Sequence, residues 1–103
     1  MSEPAAPEGA VPAAPVTRVI EIVNKKGLHA RASAKFVQCV EQYEAEVKVT
    51  RGAETVGGTS IMGLMMLAAA PGTSITVVAT GKQAADVIDA LAKLVAGGFG
   101  EDD

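Results

Sequence analysis

The sequence predicts a single α+β domain, an open-faced sandwich in which a four-stranded antiparallel sheet carries three helices on one face, in the order β-α-β-β-α-β-α. Three observations predict it. Short β-branched segments with period-two alternation are interleaved with stretches of helical periodicity. Gly and Pro punctuate the joints between them. A chain of 103 residues, 49% of them hydrophobic, has material for one core and no second domain.

Residues 1–15 hold all but one of the prolines and many alanines without apolar periodicity, so this stretch is expected to be a disordered tail ahead of a folded domain over 16–103. Thr17 to Val23 reads as a strand with Ile20 and Ile22 on one side, broken by Asn24 to Gly27. From Ala30 to about Tyr43 no Gly or Pro intrudes. Ala30, Ala34, Val37 and Val40, with Ser33 and Tyr43 nearby, recur there at helical spacing. Ala45 to Thr50 alternates strictly, with Val47 and Val49 on the inner side, and Arg51-Gly52-Ala53 turns the chain back through Glu54 to Val56. After Gly57-Gly58, Thr59 or Ser60 can cap a short helix that runs to Met66 or Leu67. Pro71-Gly72 closes it, and Thr73 to Ala79 forms the last strand with Ile75, Val77 and Ala79 inward. Ala84, Val87, Ile88, Leu91, Leu94 and Val95 define the final amphipathic helix, with Gly97 as its C-terminal cap.

Composition excludes several function classes. Only Phe36, Tyr43 and Phe99 are aromatic, so the core is expected to consist of Val, Ile, Leu, Met and Ala, and stacking platforms for nucleic-acid bases are scarce. Cys39 is the only cysteine, which rules out an internal disulfide and fits a reducing cytoplasm. With one histidine and one cysteine, a metal site has too few ligands, and no cofactor motif is present. No apolar run reaches the roughly 18 residues of a membrane span, and the opening lacks signal-peptide character, so a soluble, cytoplasmic protein without membrane insertion is expected.

The net charge of -3 conceals an uneven distribution. Acidic residues stand at both ends, as Glu3 and Glu8 and as Glu101, Asp102 and Asp103. Between Ile22 and Val40 there are only cations: Lys25, Lys26, Arg31 and Lys35. The lone histidine, His29, lies among them immediately before the first helix. A lone histidine at such a junction is ordinarily a solvated turn residue. Its setting here favours chemistry, because the first backbone N–H groups of a helix lack internal partners and the helix dipole places partial positive charge beside them. Arg31 adds a guanidinium suited to phosphate, and Lys25 and Lys26 add further positive charge. An imidazole with an ordinary pKa of about 6.5 is a competent nucleophile at neutral pH, and phosphoryl transfer needs little beyond that and charge around the equatorial oxygens. A hydrolase-like triad is disfavoured, since no acidic residue within Ile22 to Val40 could orient the ring, although a distant one could. Cys39, ten residues along the helix, is too far for a Cys–His pair.

Gly27-Leu28-His29-Ala30-Arg31, followed by a helix and then by Gly58-Thr59-Ser60-Ile61-Met62-Gly63-Leu64, resembles the HPr family, the histidine-containing phosphocarriers of the bacterial phosphoenolpyruvate-dependent phosphotransferase system. The resemblance covers roughly Val16 to Phe99, with both motifs in the family's order. It implies a carrier, not an enzyme. His29 would accept a phosphoryl group from enzyme I and donate it to enzyme IIA domains, with Arg31 stabilising the group. It also implies that Ser60 is the site modified by HPr kinase/phosphorylase in bacteria that have one, and that Ile61, Met62 and Met65, with Lys25 and Lys26, form a docking surface. Leu64 and Leu67 are expected in the core, and transient exchange between partners suits a monomer. The family usually has Arg-Pro where this chain has Arg31-Ala32, which leaves open whether the sugar-uptake or a nitrogen-related branch is served. Alanine there restores a backbone donor to the first turn. The alternative reading is a ferredoxin-like module that binds a small ligand or a partner, with His29 incidental.

Overall fold

In the computed structural model of the chain, residues 15–101 are described; the expected tail over 1–15 lies outside them except for Pro15, as do Asp102 and Asp103. Four strands, β1 (Val16–Glu21), β2 (Glu46–Arg51), β3 (Glu54–Gly57) and β4 (Ser74–Thr80), alternate with α1 (Ala30–Val40), α2 (Ile61–Met66) and α3 (Ala84–Ala96) in the expected order. The strands form an antiparallel sheet in the order β1-β4-β2-β3. β4, the last strand in sequence, therefore sits between the first strand and the hairpin.

Register follows the alternation. Ile20 faces Ile75 and Val49 faces Val77 on the covered side, and Ile75, Val49 and Val77 are fully buried. Each such side chain contributes about 1.5–3 kcal/mol of transfer free energy. Threonines fill much of the other side, where the Thr50 and Thr55 hydroxyls meet at 2.7 Å across the hairpin.

Two expectations about packing are corrected. Phe36 and Phe99 are both fully buried, so the core includes two of the three aromatics and is not aliphatic alone; Ile61, Met62, Met65 and Met66 are exposed. In α1 the buried stripe is Ala32, Ser33, Phe36, Val37 and Val40. Ala30 is exposed and Ala34 half-buried, because Phe36, the largest apolar side chain of the helix, turns its own face inward. α1 also stops three residues earlier than its apolar periodicity allows. Gln42 and Tyr43 donate to the carbonyls of Cys39 and Val40, tightening the last turn, and Glu44 is drawn away by reciprocal bonds with Gln83. The last helix matches its expected face, with Ala84, Val87, Ile88, Leu91 and Val95 buried. Leu64 and Leu67 are buried as expected.

Candidate functional site

The loop from Asn24 to His29 presses against the segment that follows α2. Gly27 adopts φ +64°, and a Cβ there would lie 2.3 Å from the Ala69 carbonyl oxygen, so only glycine fits this approach. The Leu28 N–H donates to that same carbonyl and the Ser33 hydroxyl donates to Leu28 O, which fixes the residue before His29 from both sides. His29 is thereby delivered in extended conformation, as the N-cap of α1.

The two ring nitrogens have different partners. Nδ1 accepts from the Arg31 backbone N–H at 3.3 Å, so its lone pair is aimed at the helix N-terminus. Nε2 lies 2.5 Å from Oε2 of Glu101. Together these contacts assign the tautomer: the proton is on Nε2 and donates to the carboxylate, leaving Nδ1 as the basic nitrogen. Bonding from His29, foremost, and from Asn24 holds the Glu101 carboxyl below the usual glutamate range.

Lys26, His29, Ala30, Arg31, Lys35, Gly100 and Glu101 line one depression of about 590 Å³. Of the residues singled out in the sequence, His29, Arg31 and Lys26 meet there. Lys25 is exposed but not in the lining. Ser60, Ile61, Met62 and Met65 belong to a separate exposed surface on α2, where Ser60 Oγ accepts from the Gly63 N–H at 2.9 Å as N-cap. A smaller hollow against His29 is lined by Ala68, Ala69, Ala70 and Pro71, the segment after α2. Ala32, in place of the proline seen in the family motif, is fully buried in the first turn of α1.

Glu101 supplies the orienting carboxylate that no residue between Ile22 and Val40 offers. It comes from 72 residues away, a separation that no local pattern reveals. Asn24, expected only to break the first strand, is buried, and its Nδ2 donates both to Gly27 O and to Glu101 Oε1. The only sequence signal pointing to this closure is the Gly97-Gly98-Phe99-Gly100 run, which marks a reversal after α3.

The family model described as the PTS HPr component phosphorylation site matches residues 16–97. The chain belongs to the HPr family. The phosphocarrier protein HPr of Neisseria meningitidis is 55% identical over 82 residues, 80% of this chain and 92% of that protein. The phosphocarrier protein NPr of Shewanella violacea is 36% identical, over 82% of this chain and 92% of that one. Among solved structures, HPr-C-His from Thermoanaerobacter tengcongensis superposes with a TM-score of 0.81 at 36% identity, covering 85% of this chain and 99% of the other. Family and element order thus agree with the expectation, and as an HPr-family member this is a phosphocarrier of the phosphotransferase system. No helix among the described residues is long and apolar enough to cross a membrane.

Proposed function

We propose that His29 accepts a phosphoryl group on Nδ1 from phosphorylated enzyme I and donates it to enzyme IIA domains. The observation that carries this reading is the placement of Nδ1, unprotonated and aimed at the start of α1 within a depression lined by Lys26, Arg31 and Lys35. As the N–P bond forms, the lone pair that held the Arg31 N–H is consumed. That N–H then turns to a phosphoryl oxygen and joins the other first-turn donors. The Arg31 guanidinium balances the remaining charge from the surface. The greater identity to the HPr of Neisseria than to the NPr of Shewanella, 55% against 36%, supports the HPr branch over the NPr branch.

The α2 surface is read as the docking face and regulatory element of the same carrier. Ile61, Met62 and Met65 are exposed side by side with flexible thioethers suited to several partners. Ser60 is exposed at the start of α2. A phosphate placed on it by an HPr kinase would put a charge of about -1.5 to -2 beside that apolar face and weaken docking.

Incubation with enzyme I and phosphoenolpyruvate is expected to yield one acid-labile phosphate per chain, absent from His29→Ala. An alanine variant labelled as well as the parent protein would refute the assignment.

A further inference from the structure

The segment after α3 is built to reach His29. After α3, Gly98, Phe99 and Gly100 take φ values of 67°, 59° and 71°, three successive left-handed residues that reverse the chain toward the α1 N-terminus. The Phe99 side chain is fully buried in the core, and its carbonyl accepts from Lys35 Nζ at 2.6 Å. Beyond this anchor the Glu101 carboxylate is gripped at both oxygens, by Asn24 Nδ2 at 3.1 Å on Oε1 and by His29 Nε2 on Oε2. Its side chain is only 15% exposed. Among the described residues, the other charged groups lining the depression around the ring are Lys26 from the loop and Arg31 and Lys35 from α1, all cationic. A carboxylate in such a depression opposes the binding of an anion. It bonds instead to Nε2, the nitrogen remote from the helix start.

Building on the phosphocarrier reading, we propose that Glu101 is a positioning residue for His29, keeping the ring proton on Nε2 and stabilising the positively charged ring that exists while Nδ1 carries the phosphoryl group. The balance is simple. The Nδ1 lone pair forms the N–P bond, the donor's bond to phosphorus breaks, and its electron pair leaves with the donor. No proton departs from Nε2, so the ring becomes a phospho-imidazolium whose charge faces Oε2. On donation the N–P electrons return to Nδ1 and the ring is neutral again. A ring that keeps its Nε2 proton leaves phosphorus as neutral imidazole, a far better leaving group than imidazolate. Glu101 thus maintains the phosphohistidine as an active donor. The depressed carboxyl pKa is consistent with a carboxylate that stays charged throughout the neutral range.

The test uses the full chain with Glu101→Gln and Glu101→Ala. After labelling by enzyme I and phosphoenolpyruvate, the rate of phosphate release is followed against pH. Removing the negative charge is expected to lower the pH at which release slows by about one unit, giving about tenfold slower release above both midpoints. In the unphosphorylated protein, imidazole 15N shifts are expected to show an Nε2–H tautomer in the parent and a larger share of Nδ1–H in Glu101→Ala. A release profile and tautomer ratio unchanged in both variants would overturn the proposal and leave Glu101 as a clasp for the chain end. Failure of the parent protein to take label would instead count against the phosphocarrier reading, while the tautomer ratio would still report on Glu101.

Discussion

The N-termini of α1 and α2 use one backbone device for different ends: a side chain caps each. At α1 the cap is His29, whose Nδ1 accepts from the second N–H of the helix at 3.3 Å; at α2 it is Ser60, whose Oγ accepts from the third at 2.9 Å. The serine cap is the shorter bond and is made by a small side chain that also carries a hydroxyl proton. The histidine cap is longer, and its ring is held from the opposite side by Glu101. The surroundings diverge as well. Lys26, Arg31 and Lys35 surround the first terminus, whereas Ile61, Met62 and Met65 surround the second. The comparison teaches that a helix start alone offers donors, and that a third element must fix the acceptor before the site can do directed chemistry.

The largest expected effect comes from breaking that third element. Phe99→Ala should lower the unfolding free energy by about 3–5 kcal/mol in denaturant titrations, because a fully buried ring is replaced by a cavity. It should also speed amide exchange at Glu101, since the segment carrying it loses its anchor. A loss under about 1 kcal/mol would mean that the chain end is not what separates the two termini. The serine terminus is the control. Ser60→Ala should cost about 1 kcal/mol, the ordinary value of an N-cap, and the same denaturant titration would expose a deeper structural role if the loss were several times larger.

The smallest effect is a pH dependence confined to the histidine terminus. The Glu101 pKa is depressed in the folded chain, so at mildly acidic pH the unfolded chain binds more protons there than the folded one. The stabilisation is therefore fully present above the ordinary glutamate value of about 4.3 and is lost as pH falls through the depressed folded value. Melting temperatures of the parent and Glu101→Gln, measured from neutral pH down to about 3, should differ by a gap that closes in that acidic window. A gap that persists to the lowest pH would show that the carboxylate's charge is not what holds the contact.

Much of the fold was legible because its signals are local. Val47 and Val49, Ile75 and Val77, and the Ala84 to Val95 stripe lie on the faces their spacing predicts. Helix α1 was less legible, since two apolar stripes compete along it and only packing decides that Phe36 and Ala32 face the core while Ala30 does not. The buried Phe99 shows the same limit: hydrophobicity says what can be buried, and the geometry of the neighbours says what is.

His29 bears the same lesson at the site. The family, the single histidine, its place at a helix start and its cationic neighbours are all legible in the sequence, because these are properties of adjacent residues and of two short motifs. Which ring nitrogen is free was decided only by tertiary structure. That depends on a carboxylate 72 residues away and on the buried Asn24 and Phe99 that hold its segment in place. A contact of this kind leaves no periodicity in the chain, since it is made by a reversal of the backbone after α3 and by the closure of the core around one aromatic ring.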